Sequence, residues 1–194
     1  MGFFYTLPMT TLAAIQGDNW AVFATDSQST DDSGFKAMIP GGKAFDNQGI
    51  VIAGAGQVRG INLLEHAFVA PTVNMKYPDK YMTNTFIPAM RKCFQDAGYE
   101  YRREDTSVEN DNIWLVGVKG QIYRVEEDYS WEKNANGLYV AGSGERFALG
   151  ALEAMKAHNA KNITQAKIYL KKAIQIAIKY DANSGGEIKF LVST

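Results

Sequence analysis

The sequence has little of the two residue types that carry much of protein catalysis and metal binding. Cys93 is the only cysteine among 194 residues, and His66 and His158 are the only histidines. A single cysteine excludes an intrachain disulfide framework and a cysteine-cluster metal site, and it fits a reducing compartment. Both histidines fall in predicted helices, so we do not expect a catalytic triad built on histidine.

The sequence also lacks an excess of charge and a long hydrophobic run. Twenty Lys and Arg residues oppose 21 Asp and Glu residues, which leaves a net charge of -1. This balance gives no signal for nucleic acid, an acidic ligand or a membrane surface. No uncharged stretch is long and apolar enough to span a bilayer, and no Lys or Arg precedes Lys36 to begin a secretory signal. We therefore expect a cytoplasmic protein that binds neither nucleic acid nor membranes.

Apolar segments predict strands and helices that alternate in blocks. Apolar residues make up 46% of the chain, enough for the core of one domain. Strands are predicted at "TTLAAIQ", "WAVFATD", "GIVIAGAG", "NIWLVGV", "QIYRVEE", "GLYVAG" and "EIKFLVS". Helices are predicted at 57–70, 85–97, 145–158 and 163–180. The order ββ, αα, ββ, αα, β predicts an α+β fold: a four-layer α-β-β-α sandwich of two antiparallel sheets flanked by helix pairs.

Two threonines, Thr10 and Thr11, stand directly before the first predicted strand. Threonine is a poor nucleophile at neutral pH unless a base takes its proton. Without a triad histidine, the base that remains is the threonine's own α-amine, freed if the chain is cut before it. A neighbouring cation lowers the pKa of such an amine, and a buried lysine needs a carboxylate partner. Lys43 in "GGKAF" and Asp26 at the end of the second strand are the candidates for these two groups.

In this order of residues the sequence resembles the proteasome β-subunit family, which includes the bacterial heat-shock-locus V peptidase and consists of N-terminal nucleophile threonine hydrolases. The resemblance runs from Thr10 to Thr194. "TTLAAI" is similar to the mature N-terminus of the family, which implies that Thr10 is the nucleophile. Asp26 follows at the family's spacing of sixteen residues. Lys43 lies one residue later than in typical members, which implies a single insertion in the preceding loop.

Three further segments carry the resemblance. "VIAGAGQVRG" is similar to the segment whose backbone N–H forms the oxyanion hole, which implies Gly56, with Gly54 as the second choice. "AGSGERF" resembles a Gly-Ser-Gly turn and implies that Ser143 hydrogen-bonds near the nucleophile's amine. "YDANSGGEIKF" resembles the motif Asp-x-x-Ser-Gly-Gly and implies that Asp181 and Ser184 orient the threonine. Outside the resemblance, Ser143 is a candidate helix N-cap and the last segment a helix exit with a glycine turn.

The resemblance also implies a reaction and a place for the substrate. Thr10 Oγ attacks a peptide carbonyl, its amine shuttles the proton, and the Gly56 N–H stabilises the oxyanion, so neither a metal nor an organic cofactor is required. A pocket for the substrate side chain is implied near Gln28, Ile52 and Val58.

Three functions stay open at this stage. The first is a threonine peptidase in stacked rings of this chain, with polypeptide substrates and an ATP-dependent unfoldase as a candidate partner. The second is a catalytically silent ring protein that retains its N-terminus. The third is another N-terminal nucleophile hydrolase acting on a small amide. Family precursors often have glycine before the nucleophile and cut themselves there, whereas this chain has Met9, a departure that argues against self-cleavage. Bacterial members that resemble heat-shock-locus V begin Met-Thr-Thr and lose the methionine to an aminopeptidase. We expect 1–9 to be an extension or propeptide and 10–194 a single proteasome-β-like domain.

Overall fold

A computed structural model of the chain describes residues 9–31, 33–73, 76–103 and 107–194. The strands are β1 (Leu12–Gln16), β2 (Ala21–Thr25), β3 (Gln28–Thr30), β4 (Lys36–Met38), β5 (Ala44–Asn47), β6 (Ile50–Gly56), β7 (Tyr101–Arg103), β8 (Ser107–Glu109), β9 (Asn112–Val118), β10 (Gln121–Val125), β11 (Trp131–Glu132), β12 (Leu138–Ala141) and β13 (Lys189–Ser193). The α-helices are α1 (Val58–His66), α2 (Pro78–Tyr81), α3 (Ile87–Asp96), α4 (Glu145–Ala154) and α5 (Ile163–Tyr180). A π-helical turn, Met82–Phe86, joins α2 to α3, and a 3-10 turn, Ala157–Asn159, follows α4.

Two antiparallel sheets form the centre of the molecule. The first has the strand order β12-β1-β2-β13 and the second β11-β10-β9-β6-β5. Their facing surfaces bury small and medium apolar side chains, among them Leu12, Ala14, Val51 and Leu115. Alternate residues of a strand point to opposite faces, so the other half of each strand is free to pack against helices.

Each sheet carries a helical layer on its outer face. Helices α1 and α3 cover the second sheet through a core that includes Trp114, Phe86 and Phe94. Helices α4 and α5 cover the first sheet through a core rich in alanine and leucine. The molecule is therefore a four-layer α-β-β-α sandwich, and the fold class predicted from the sequence is confirmed. Within the described residues, no helix is both long enough and apolar enough to cross a membrane.

Several element boundaries differ from the predictions. Helix α1 ends at His66 rather than at residue 70, because the buried Asn47 amide bonds to the backbone of the last helical turn and of the segment after it. Its Nδ2 donates to the carbonyls of Leu64 and Phe68, and its Oδ1 accepts from Ala70 N–H. The predicted helix at 85–97 continues backwards through the π-helical turn to α2. Helix α4 ends earlier than predicted, just before Lys156 at φ 50°.

Candidate active site

Thr10 and Thr11 stand at the entrance to β1, one of the two central strands of the first sheet. Both are buried, with exposed fractions of 2% and 0%. Thr11 N–H donates to Asp26 Oδ1 at 3.0 Å, and Thr11 O accepts from Asp26 N–H at 3.2 Å. These two bonds extend the β1–β2 pairing past its last partners, Leu12 and Thr25, so the first sheet itself places Asp26 beside the threonines.

The Asp26 carboxylate is fully buried and saturated with donors. Oδ1 accepts from Lys43 Nζ at 2.9 Å as well as from Thr11 N–H. Oδ2 accepts from the N–H groups of Gln28 and Gly185, at 3.2 and 3.0 Å. Four donors around one carboxylate fix its orientation.

Lys43 comes from the second sheet, immediately before β5, and reaches across to the start of β1. Its backbone is anchored on both sides: Thr25 Oγ1 accepts from its N–H, and its carbonyl accepts from Gly54 N–H. Burial lowers the pKa of Lys43 below the ordinary lysine value, and the neighbouring Asp26 charge only partly opposes that shift. Nζ also donates to the Met9 carbonyl at 3.1 Å, the same oxygen that accepts from Thr10 Oγ1 at 2.7 Å. Lys43 is therefore aimed at the peptide bond that precedes Thr10.

A second carboxylate, Asp181, lies on the other side of Thr10. It follows α5, and its Oδ2 accepts from the hydroxyls of Ser143 and Ser184, each at 2.6 Å. Ser143 Oγ in turn accepts from Thr10 N–H at 3.2 Å. Helix α4 begins with Gly144 as its N-cap and has no side-chain cap, so Ser143 serves this network rather than the helix.

The two glycines considered for the oxyanion hole differ in hydrogen bonding and in backbone conformation. Gly54 N–H is already donated to the Lys43 carbonyl at 3.0 Å. Gly56 ends β6 at φ 140°, a backbone conformation that residues with a Cβ rarely adopt. Gly56, the first choice from the sequence, is thus the one whose N–H is not committed to Lys43.

The residues expected to line a substrate pocket have three different environments. Gln28 is buried, and its Nε2 donates to Thr30 Oγ1 and to the Ala182 carbonyl. Ile52 is fully buried between the second sheet and its helices, so its side chain belongs to the core and does not face an open pocket. Val58, at the first position of α1, is 41% exposed. The structure therefore does not bring these three side chains together.

Sequence reasoning missed two contributors to this region. Thr11 Oγ1 lies 2.6 Å from Ser184 Oγ, and Gly185 N–H holds Asp26. The doubled threonine and the Ser-Gly-Gly segment are visible in the sequence. However, Thr11 and Ser184 are 173 residues apart and Gly185 and Asp26 are 159 residues apart, and no local sequence pattern predicts contacts over such separations.

Comparisons with solved structures bear on this arrangement. BPH of Thiobacillus denitrificans, a bacterial proteasome homologue, superposes with a TM-score of 0.72 at 20% identity, over 94% of this chain and 97% of that one. The same protein in complex with epoxomicin gives 0.72 at 18% identity, with the same coverage. Eukaryotic HslV from Trypanosoma brucei gives 0.65 at 21% identity, over 94% of this chain and 98% of that one.

This chain has the fold of proteasome homologues and HslV. The resemblance stated from the sequence is confirmed at the level of the fold. No protein-family model and no curated protein matches the sequence itself. In this fold the two groups of residues bind the two sides of the peptide bond that precedes Thr10. Lys43, paired with Asp26, donates to the Met9 carbonyl, and Ser143, bound to Asp181, accepts from Thr10 N–H.

Proposed function

We propose that this chain is a threonine peptidase subunit that cleaves peptide bonds by acyl transfer to Thr10, once Thr10 has become N-terminal. One observation carries the proposal: Lys43 and Ser143 bind the carbonyl and the N–H of the peptide bond between Met9 and Thr10, and each of them is bound to its own aspartate. A structural threonine at the start of a strand needs neither a buried cation nor a second carboxylate.

The chemistry follows from the position of each group. The free amine of Thr10 accepts the Oγ proton, directly or through a water molecule, as Oγ attacks the substrate carbonyl. The amine then gives this proton to the leaving amine, and water hydrolyses the resulting ester. Lys43, held by Asp26, keeps a positive charge beside the site, which lowers the pKa of the Thr10 amine toward the working pH.

Gly56 is the proposed donor to the oxyanion. Successive N–H groups of a strand alternate in direction, so the N–H of Gly56 is directed to the same edge of β6 as that of Gly54, which bonds to Lys43. Loss of one such donor typically lowers the rate by about 10²–10³-fold.

The proposed activity requires cleavage of the bond between Met9 and Thr10. While this bond is intact, the nitrogen of Thr10 is an amide and cannot act as a base. Both Thr10 Oγ1 and Lys43 Nζ donate to the Met9 carbonyl in that state. The site is therefore occupied by the chain's own residue 9 until the bond is broken.

We further propose that the chain assembles into rings and acts on polypeptides, with an ATP-dependent unfoldase as a candidate partner. The support is the resemblance of the sequence to the proteasome β-subunit family and the shared fold with BPH and HslV. Sedimentation velocity of the purified protein tests this step, and a monomer at all concentrations would contradict it.

The first experiment is an intact mass measurement on the assembled protein, paired with hydrolysis of fluorogenic peptides. We expect a mass that begins at Thr10, peptide hydrolysis, and binding of epoxomicin, the ligand in the Thiobacillus BPH complex. Thr10→Ala should abolish hydrolysis. A mass that retains 1–9 in an inactive assembly would favour the silent ring protein, and hydrolysis of small amides alone would favour the amidohydrolase.

A further inference from the structure

Thr11 makes contacts with the candidate active site through both its backbone and its side chain. Its backbone binds Asp26 through N–H and carbonyl, and its hydroxyl lies 2.6 Å from Ser184 Oγ, which binds Asp181. Its side chain has no exposed surface. Thr11 thus contacts both carboxylate groups of the site, Asp26 directly and Asp181 through Ser184.

The direction of the hydrogen bond between Thr11 and Ser184 follows from counting protons. A hydroxyl carries one proton, and an ionised carboxylate only accepts. Ser184 gives its proton to Asp181 Oδ2 at 2.6 Å, so the proton between the two hydroxyls must come from Thr11. By the same count Ser143 gives its proton to Asp181 at 2.6 Å, in preference to the Thr10 carbonyl at 3.4 Å, and accepts from Thr10 N–H.

All the hydroxyl protons of this network therefore point toward Asp181. One arm runs from Thr11 through Ser184, and the other runs from the Thr10 nitrogen through Ser143. Both arms end on the same carboxylate oxygen, so the strength and direction of one bond affect the other. The hydroxyl of Thr11 has little room to turn away, because a methyl group added at Gly144 would overlap it.

We propose that Thr11 is a positioning residue for the reaction of Thr10: its hydroxyl sets Ser184 and Asp181, and Asp181 in turn sets the Ser143 oxygen that receives the Thr10 nitrogen. This inference rests on the proposed function. Thr11 does not touch the reacting atoms through its hydroxyl, so its effect appears in the rate of the chemical step and not in substrate binding.

The test compares Thr11→Val, which keeps the shape and removes the hydroxyl, with Thr11→Ser, which keeps the hydroxyl. We expect Thr11→Val to lower kcat about tenfold with KM unchanged within about twofold, and Thr11→Ser to stay within about twofold of the wild type in both constants. Ser193→Ala is the matched control, because it also removes a buried hydroxyl bonded to one partner, Gly120 N–H, outside the site. It should lower stability without lowering kcat.

A double-mutant cycle decides whether Thr11 acts through Ser184. If it does, Thr11→Val combined with Ser184→Ala has the same kcat as Ser184→Ala alone, because the second change removes a contact that is already gone. Additive losses, or a Thr11→Val enzyme with the wild-type kcat, would overturn the inference. Thr10→Ala separates this result from the proposed function, since hydrolysis that survives in that variant defeats the peptidase proposal whatever Thr11 does.

A crystal structure of Thr11→Val gives a readout that does not depend on activity. We expect Ser184 Oγ to leave its 2.6 Å contact with Asp181 and the Ser143 hydroxyl to shift with it. Unchanged positions of both hydroxyls would overturn the inference. Should Thr11→Val not fold, Thr11→Ala removes the same hydroxyl without introducing a new methyl position, and the same comparison applies.

Discussion

Lys43 Nζ lies 2.9 Å from Asp26 Oδ1 in an ion pair whose side chains are 3% and 0% exposed. Asp26 follows a strand of the first sheet and Lys43 precedes a strand of the second. The ion pair therefore links the two sheets near the start of β1. Both charges have lost their water, and each depends on the other and on neighbouring N–H groups for compensation. The pair therefore connects the stability of the sandwich to the electrostatics of Thr10.

Removing either charge should destabilise the protein, and unequally. Asp26→Asn leaves the Lys43 ammonium buried and brings an amide NH₂ against backbone donors, so we expect a loss of about 3–5 kcal/mol in the free energy of unfolding. Lys43→Met removes one of the four donors to Asp26 and should lower the free energy of unfolding by less than Asp26→Asn does.

Both variants should lose hydrolysis. Denaturant unfolding measures the difference, and Asp96→Asn, which breaks the exposed pair with Lys92, serves as the control at less than about 1 kcal/mol. Equal effects of the buried and exposed changes would contradict this interpretation.

Hydrolysis should fall on the alkaline side of neutral before pH 10.5. Burial lowers the pKa of Lys43 below its ordinary value of 10.5, so the positive charge beside Thr10 is lost at a lower pH than for a lysine in water. The measurement is kcat/KM from about pH 7 to about pH 11, with circular dichroism at each pH to show that the protein is folded. A rate that stays constant up to pH 10.5 in folded protein would contradict the assignment.

Stability should respond to the same titration with the opposite sign. Between the lowered pKa and 10.5, the unfolded chain still holds the Lys43 proton while the folded chain has released it. The unfolded state then binds more protons, so the contribution of Lys43 to the free energy of unfolding rises with pH across that window and is lost as the pH falls through the folded pKa. The difference in unfolding free energy between wild type and Lys43→Met should therefore grow from neutral pH toward 10.5. A difference that shrinks would show that Lys43 is not shifted in this direction.

Much of the fold was predictable because its strongest elements have unambiguous local patterns. Helix α5 matches its predicted limits, since Asn162 caps the first turn and the apolar spacing is regular to Tyr180. The hairpin at Lys119 and Gly120 has the positive φ angles, 49° and 80°, that its turn requires. The short β3–β4 hairpin escaped prediction because Gln28–Thr30 contains no apolar alternation.

The site was predictable only in part, and the buried position of Ile52 shows why. Strand β6 is buried on both faces, so its sequence is a continuous apolar run that does not reveal which residues face the other sheet and which face the helices. The placement of Ile52 on the helical side could be learned only from the three-dimensional packing. The contact of Thr11 with Ser184 likewise joins residues 173 positions apart, so only the three-dimensional structure reveals it.

Asn47 should prove important for stability although it lies outside the site. It is 8% exposed, and its amide makes three bonds to the backbone at the end of α1 and just after it, to Leu64, Phe68 and Ala70. Asn47→Ala leaves these backbone groups without their partner, so we expect a loss of about 2–4 kcal/mol in the free energy of unfolding. Thermal unfolding checks this, with Asn136→Ala in an exposed turn as the comparison. Equal melting temperatures for the two variants would contradict the role given to Asn47.

Gly144→Ala should lower activity by steric displacement, without backbone strain. Gly144 has φ -86° and ψ 2°, angles that alanine tolerates, but a Cβ there would overlap Thr11 Oγ1 and approach Ser184 Oγ to 3.1 Å. We expect kcat to fall about tenfold or more, because the hydroxyls that lead to Asp181 must move. Gly150→Ala, on the same helix with nothing within 4 Å of its added carbon, is the matched control. It should leave kcat unchanged and raise the free energy of unfolding by about 0.5–1 kcal/mol through helix propensity. If Gly144→Ala retained the wild-type kcat, the close packing of α4 against the threonine pair would have no part in the reaction.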